Sequence, residues 1–212
     1  MEFECIKPAE IEKRSFAIIT QELGDRQFSP EIEPIVKRVI HTSADFEYAD
    51  NLVFSDGAVQ RAIAAIQNGA HIVTDTSMVQ AGINKKTLAQ FGGEVHCFIA
   101  DEAVAAEAKR RGVTRSTVSM ERAAQLDVPL IFAIGNAPTA LIELARLVKA
   151  GALQPELIIG VPVGFVNVVE SKELILQLDV PHIVARGRKG GSNIAAAIVN
   201  ALLYQLVQRE GF

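Results

Sequence analysis

The sequence predicts a single α/β domain over residues 1–212, with a mostly parallel sheet of about six strands flanked by helices in three layers. Apolar runs of strand length alternate with segments of helical periodicity, which is the pattern of a parallel sheet with right-handed crossovers. The runs are almost continuously apolar, as in Pro129–Ile134, and this is typical of strands that are buried on both faces. No linker or low-complexity segment divides the chain, so one domain is the simplest prediction.

Two helices are predicted at the N-terminal end. The first spans residues 8–23 and has Pro8 in its first turn. The second begins at Ser29-Pro30 and has Glu31 and Glu33 in its first turn, where acidic side chains interact favourably with the helix dipole. An apolar stripe along the second helix is formed by Ile32, Ile35, Val36, Val39 and Ile40.

The alternating part of the chain follows these two helices. Strands are predicted at 51–54, 71–74, 95–99, 130–134, 157–160 and 182–185. Helices are predicted at 57–68, 77–82, 84–91, 101–112, 116–125, 138–150, 170–178 and 191–208.

Three glycine-rich loops follow three of the predicted strands and form the most informative feature of the chain. They span Gly135–Leu141, Gly160–Val166 and Gly187–Ser192. In an open α/β sheet, ligands bind outside the carboxyl ends of the strands. Glycines there let a ligand approach the backbone, and helix N-termini offer free N–H groups to anions. We therefore predict that the three loops form a binding surface, called the binding floor below.

The composition argues against several classes of protein. The formal net charge is −4 and there is no tryptophan, whereas nucleic-acid-binding proteins usually show a basic excess or stripe. The apolar segment Ile194–Val207 is too short for a membrane span and is interrupted by Asn200 and Gln205. We expect it to be buried in the core or in a subunit interface, and we expect no membrane partner.

The cysteines and three of the histidines give no sign of a metal site. Cys5 and Cys97 are not in a Cys-x-x-Cys pair and are expected to be reduced thiols in a cytoplasmic protein that lacks a signal-peptide pattern. His96 and Cys97 are neighbours on a predicted strand and so point to opposite faces. We expect the remaining histidines to be core or edge residues: His71, His96 and His182. No metal and no external cofactor are predicted.

His41 is the candidate catalytic residue. It lies near the C-terminal end of the second helix, where the dipole favours an imidazolium, and an imidazole exchanges a proton near neutral pH. From the local sequence alone, a structural histidine at a helix end is the simpler interpretation. Arg38 lies three residues earlier on the same helical face and could hold a carboxylate, pair with a nearby glutamate or face solvent.

Five further cations fall at predicted strand ends or in loops. They are Arg115, Lys172, Arg186, Arg188 and Lys189. Each alone is expected to be a solvated charge, but together they suit a ligand with several anionic groups. The third loop also resembles a phosphate cradle, yet the chain lacks both common nucleotide-binding glycine motifs in the right place, which disfavours a nucleotide.

Two features leave alternatives open. Asp75 could cap a short helix or orient a substrate amide. Met78, Val163 and Phe165 could form an apolar wall for a flat ligand or could be ordinary core residues.

The chain resembles the precorrin-8X methylmutase family of cobalamin biosynthesis from about Ser15 to its last helix. The resemblance rests on short motifs that occur in order along the chain. They are Val39-Ile40-His41-Thr42, Asp75-Thr76-Ser77-Met78, Thr114-Arg115, the Gly-x-Pro-Val-Gly-Phe-Val run at 160–166, and Glu170-Ser171-Lys172-Glu173. The segment Asn167-Val168-Val169 departs from the pattern, because smaller residues are expected there.

The resemblance implies an isomerase that moves a methyl group from C-11 to C-12 on ring C of precorrin-8X or cobalt-precorrin-8. The product would be hydrogenobyrinic acid or its cobalt counterpart, cobyrinic acid. The resemblance implies that His41 donates and recovers a proton and that the protein is a homodimer with its site near the subunit interface. We expect the following residues to bind the corrinoid substrate: Ser15, Arg38, Arg115, Gly164, Phe165 and Ser192.

Two other classes of protein remain open at this stage. A corrinoid carrier that sequesters the product would need the same pocket but would tolerate the loss of His41. A nucleotide-dependent enzyme on a Rossmann-like sheet would need NAD or ATP. The sequence does not distinguish a cobalt-containing substrate from a cobalt-free one.

Overall fold

A computed structural model of the chain describes residues 7–207 and contains one six-stranded sheet in that range. The strands are β1 Leu52–Phe54, β2 His71–Thr74, β3 Val95–His96, β4 Leu130–Ile134, β5 Leu157–Gly160 and β6 His182–Ala185. Their order across the sheet is β1-β6-β5-β4-β2-β3. Four strands match their predicted bounds residue for residue: β2, β4, β5 and β6.

Eleven helices accompany the strands in the described range. They are α1 Pro8–Leu23, α2 Glu33–Ser43, α3 Tyr48–Asn51, α4 Ala58–Gln67, α5 Ser77–Gly82, α6 Lys85–Ala89, α7 Glu102–Arg111, α8 Arg115–Ala123, α9 Pro138–Lys149, α10 Val168–Leu176 and α11 Ser192–Tyr204.

The sheet divides the core into two halves, which confirms the predicted three-layer architecture. Side chains alternate across β4, so Ile131 and Ala133 pack in the half that contains α1, α2, α4 and α11. Phe132 and Ile134 pack in the other half, with α8, α9 and α10. All five residues of β4 are buried, which explains why its sequence is apolar throughout.

The sheet is parallel except at one edge. β2, β3, β4, β5 and β6 pair in parallel, whereas β1 is antiparallel to β6, with Leu52 opposite Ala185. The predicted, mostly parallel sheet of about six strands is therefore confirmed, and the sequence did not indicate which strand would be antiparallel. The apolar pattern of a strand does not encode its direction, and β1 takes its direction from pairing with a strand 130 residues later.

Several element ends differ from the predictions for local reasons. α2 starts at Glu33, because Ser29–Ile32 form a turn in which the Ser29 carbonyl accepts the N–H groups of Ile32 and Glu33. The helix α3 was not predicted, and β3 ends at His96. Cys5 and position 208, the predicted end of the last helix, lie outside the described residues.

The apolar C-terminal helix α11 packs inside the protein. Its buried residues belong to the same core half as those of α2, and Ala196 and Ala197 are within that cluster. No helix among residues 7–207 has the length and apolarity needed to cross a membrane.

Candidate functional site

The three loops of the binding floor lie side by side, because the strands that precede them are neighbours in the sheet. The Val161 N–H donates to the Ile134 carbonyl at 2.9 Å, and the Gly191 N–H donates to the Val161 carbonyl at 2.9 Å. The Gly164 N–H donates to the Arg188 carbonyl at 3.2 Å. The predicted adjacency of the loops at the carboxyl edge is therefore confirmed.

Two glycines permit this close approach of backbone to backbone. A Cβ on Gly190 would lie 2.1 Å from the Val161 carbonyl oxygen. A Cβ on Gly135 would lie 2.7 Å from the Cα of Ser192. Both distances are shorter than a van der Waals contact, and in both cases the opposing atom belongs to the backbone and has little freedom to move. A side chain at either position would therefore separate two loops of the floor.

Asp75 holds the first loop in place. Its buried carboxylate accepts the N–H groups of Gly135 at 2.9 Å, Asn136 at 2.8 Å and Ala137 at 2.6 Å. Burial raises the pKa of Asp75, and the three N–H donors oppose that shift. The cap of α5 is the neighbouring Thr76, whose hydroxyl accepts the Val79 N–H. The sequence analysis considered Asp75 as a cap of the short helix, and that alternative is wrong, because its carboxylate binds the loop that leads into α9.

Lys172 holds the third loop and is a correction to the sequence analysis. It was predicted to be a solvated charge, but its side chain is fully buried. Its Nζ donates to the carbonyls of Gly187 and Lys189, each at 2.8 Å. Burial lowers the pKa of Lys172 from 10.5 to about 8. The burial of Lys172, like that of the neighbouring Ser171, results from the packing of α10 against β6. No local sequence pattern shows that packing, and the prediction was therefore wrong.

His41 is exposed and lies at the mouth of a cleft of about 460 Å³ between α1 and α2. Its ring stacks on Phe16, with ring centroids 5.2 Å apart and an angle of 13° between the planes. Ser15 also lines the cleft, and its hydroxyl donates to the Ile11 carbonyl at 3.0 Å. The structure thus brings His41 and Ser15 to one cleft. Phe16, which orients the His41 ring, was missed because an aromatic residue on a helix looks like ordinary core.

The cleft and the binding floor are joined by ion pairs. Lys189 of the third loop contacts Asp45 at 2.6 Å and Glu47 at 2.9 Å, in the segment that follows α2. The hydrogen bond from Lys189 lowers the pKa of Asp45. The segment that carries His41 is thereby attached to the third loop. Lys189 was predicted to be available for an anionic ligand, and it is already paired with two carboxylates of its own chain.

Arg38 joins three helices. Its guanidinium pairs with Glu12 of α1 and lies 4.8 Å from the centre of the Phe16 ring and 5.3 Å from that of Tyr204. This is the glutamate-pairing alternative of the sequence analysis. A substrate carboxylate would have to compete with Glu12 for Arg38.

The other predicted substrate residues lie on or beside the floor. Ser192 shares a hydrogen bond of 3.1 Å with Thr76, at the N-terminus of α11. Phe165, which follows Gly164, is 81% exposed. The guanidinium carbon of Arg188 lies 5.4 Å from the centre of its ring. Met78 is likewise exposed, so these two apolar side chains are not core residues.

Arg115 is separated from His41 by the sheet. It is the exposed first residue of α8, in the opposite helical layer from α2. The hydroxyl of Thr114, the residue before Arg115, donates a hydrogen bond of 2.9 Å to the hydroxyl of Thr139 near the start of α9. This contact places the N-terminal end of α8 beside the first loop of the floor. Arg115 and His41 thus belong to opposite sides of one carboxyl edge, and they could meet only on a ligand large enough to cross that edge.

This combination defines a class of protein. A three-layer α/β domain carries an exposed histidine beside a floor of glycine-rich loops with exposed apolar and cationic side chains, which suits a small-molecule enzyme whose ligand has a flat apolar body and anionic groups.

Comparisons with known proteins identify the particular family. The profile of the family described as precorrin-8X methylmutase matches residues 10–205. The cobalt-precorrin-8 methylmutase of Priestia megaterium is 49% identical, with 93% of this chain and 88% of that protein covered. Its counterpart in Salmonella typhimurium is 45% identical, with 94% and 96% covered. The crystal structure of the Thermus thermophilus precorrin-8x methyl mutase is 42% identical, with 92% and 96% covered and a TM-score of 0.84.

The chain belongs to the precorrin-8X methylmutase family, as its motifs predicted. It is a methylmutase, an isomerase of cobalamin biosynthesis. These relatives give no support to the carrier alternative, because all of them are named as mutases.

Replacing Asp75 by asparagine should lower the free energy of unfolding by about 3 kcal/mol, because the amide would turn its NH₂ group toward at least one of the three N–H donors, two of which are buried. Chemical denaturation measures this loss. The exposed Asp56→Asn serves as the matched control and should change stability by no more than about 0.5 kcal/mol. Equal stability of the two variants would show that the Asp75 contacts do not hold the loop.

The burial of Lys172 should appear in the pH dependence of stability. Below pH 8 the folded protein carries the full cost of a buried ammonium, and that cost is relieved as the pH rises toward the unfolded value of 10.5. The stability of the wild type relative to Lys172→Met should therefore increase by about 2 kcal/mol between pH 7 and pH 9.5. Urea denaturation at both pH values tests this, with the exposed Lys85→Met as the control. A difference that does not change with pH, or that falls, would contradict it.

Proposed function

We propose that this protein moves a methyl group from C-11 to C-12 on ring C of cobalt-precorrin-8, with His41 as the proton donor and acceptor. The observation that carries the proposal is the position of His41, exposed at the cleft and attached to the floor through the Asp45–Lys189 ion pair. The cobalt-containing substrate is favoured because relatives at 49% and 45% identity are named for it. The 42% identical structure is named for precorrin-8x, so the cobalt-free substrate belongs in the same test.

The proposed chemistry needs one acid that returns to its starting state. An imidazolium at His41 gives its proton to the macrocycle as the methyl group leaves C-11, and it recovers that proton after the methyl group reaches C-12. No electrons are exchanged with another molecule in this isomerisation. Proton transfer by a positioned side chain typically contributes about 10²–10⁴ in rate. The stacked Phe16 restricts the ring of His41, which reduces the entropy lost in reaching the reactive geometry.

Substrate binding is proposed to use both the cleft and the floor. A corrin-type macrocycle is larger than the cleft, so the remainder would extend over the exposed side chains of Met78 and Phe165. Carboxylates at its periphery would meet Arg115, the N-terminus of α11 at Ser192, and Arg38 if they displace Glu12. Gly164 is proposed to contact the macrocycle through its backbone beside Phe165, and Ser15 lines the cleft near His41.

We also propose that the protein acts as a cytoplasmic homodimer with the site near the subunit interface. Two observations support the dimer: Phe165 is 81% and Val166 is 78% exposed, and large exposed apolar patches commonly mark binding or interaction surfaces. Cys97 is a free thiol, as is usual in a reducing compartment.

Replacing His41 by asparagine should reduce turnover of cobalt-precorrin-8 by about 10²–10⁴, because the acid is lost while the shape of the side chain is largely kept. Anaerobic incubation of wild type and variant with cobalt-precorrin-8 and, separately, with precorrin-8X measures this through the visible spectrum of the product. Asp56→Asn is the control and should convert substrate as the wild type does, because Asp56 is exposed in the turn before α4 and does not line the cleft.

The same experiment separates the elements of the proposal. Wild-type binding without conversion of either substrate would contradict mutase activity. Full activity of His41→Asn would remove His41 from the chemistry but leave the reaction intact. Faster conversion of precorrin-8X than of cobalt-precorrin-8 would overturn the choice of substrate. Product binding by His41→Asn within about tenfold of the wild type would show that the variant site is still formed.

The dimer should appear in light scattering as a mass twice that of the 22.9 kDa chain at micromolar concentration. If the site lies near the interface, dilution that lowers the measured mass should lower the specific activity in parallel. A monomeric mass at micromolar concentration would contradict the dimer, and unchanged specific activity on dissociation would place the site away from the interface.

A further inference from the structure

A second group of chemistry-bearing side chains lies at the β2–β3 edge of the sheet. His71 is the first residue of β2, and Glu94 and His96 are alternate residues at β3. The parallel register sets Ile72 opposite Val95 and Val73 opposite His96, so all three side chains project from the same face. One ligand atom from each lies within 4.8 Å of the other two.

The two histidines are already in direct contact. The Nδ1 of His71 and the Nε2 of His96 are 2.8 Å apart, and the ring centroids are 5.0 Å apart with 20° between the planes. The rings are thus nearly coplanar and meet end to end, so one nitrogen donates its N–H to the lone pair of the other. At least one ring must be neutral for this bond to form, and a neutral imidazole is the form that ligates metals.

Few rearrangements separate this arrangement from a metal centre. Two nitrogens about 2.1 Å from one ion lie about 3.0 Å apart at a right angle and about 3.4 Å apart at a tetrahedral angle. The present separation of 2.8 Å therefore needs to widen by only a few tenths of an ångström. The donor ring moves its proton to its outer nitrogen, and both rings turn so that their lone pairs converge. His71 and His96 are half-buried and Glu94 is exposed, which gives these side chains room to turn.

The surroundings also suit a bound ion. Phe98 lies beside His96, with ring centroids 5.9 Å apart and 11° between the ring planes, so an apolar side chain adjoins the half-buried imidazole. Glu94 supplies the negative charge and the oxygen ligand of a two-histidine, one-carboxylate set. Two imidazoles and a carboxylate are ligands that Zn²⁺ and related first-row divalent ions accept, with water in the remaining positions.

We propose that His71, Glu94 and His96 bind one divalent first-row transition-metal ion, for which Zn²⁺ is the natural probe. The site is distinct from the binding floor, because the floor loops follow β4, β5 and β6, whereas His71 opens β2 opposite Leu130, at the end of the strands away from those loops. Its existence does not depend on the proposed reaction, and its test does not use activity. The sequence does not indicate this group, because its three residues belong to two strand segments whose register is not visible in the sequence.

The test is metal binding to the chelator-treated protein in which Cys5 and Cys97 are replaced by serine, so that thiols do not contribute. Equilibrium dialysis should find one Zn²⁺ per chain with micromolar or tighter affinity, and Co²⁺ should give a visible absorption band that Zn²⁺ removes. His71→Asn, His96→Asn and Glu94→Gln should each weaken binding by at least tenfold. His41→Asn should bind Zn²⁺ as the parent does and is the control for nonspecific histidine binding.

Thermal unfolding supplies the second readout. Zn²⁺ should raise the melting temperature of the parent and should have a much smaller effect on Glu94→Gln. Glu94 is exposed, so its replacement by glutamine should change the stability of the metal-free protein by no more than about 0.5 kcal/mol. The proposal is overturned if the parent binds no stoichiometric Zn²⁺, or if Glu94→Gln and the histidine variants bind it as tightly as the parent. Either result would leave the two histidines as a structural hydrogen-bonded pair.

Discussion

The three hydrogen bonds to the Asp75 carboxylate are the contact on which the geometry of the binding floor depends. A buried carboxylate is costly unless its oxygens are satisfied, and here they are satisfied by successive N–H groups at the start of α9. The positive end of the helix dipole acts in the same direction. Because the first loop is held at the end of β2, Gly135 can lie against Ser192, and the N-terminus of α11 takes its position from that contact.

Two lysine side chains, Lys172 and Lys189, hold the other side of the floor. The buried ammonium of Lys172 binds carbonyls of the third loop from within, and the side chain of Lys189 reaches out of the same loop to Asp45. The segment after α2 is thereby connected through the third loop to α10. His41 stands at the end of α2, so its position relative to the floor depends on this series of polar contacts as well as on the packing of α2 against α11.

The sequence predicted well those helices and strands whose bounds follow from the pattern of residues within a single segment. The buried run of β4 and the proline-initiated helix α1 have their predicted bounds because burial on both faces and a proline at the first turn are visible in a single segment. The direction of β1, the burial of Lys172 and the partner of Asp75 depend on residues far away in the chain. Ser15 was proposed only through the family resemblance, and the resemblance also decided the roles of His41 and Phe165, since a helix-end histidine and a loop phenylalanine have ordinary structural explanations.

The two edges of the sheet are unusually short. β1 has three residues and β3 has two, and β1 runs against the direction of the other strands. Short edges offer few unpaired backbone groups to another chain, so addition of a foreign strand gains little. The sheet is thus protected from open-ended growth even though its buried strands are rich in the residues that form aggregates. A contact between copies of the protein, such as the proposed dimer, would then use helices and loops, where side chains rather than backbone set the specificity.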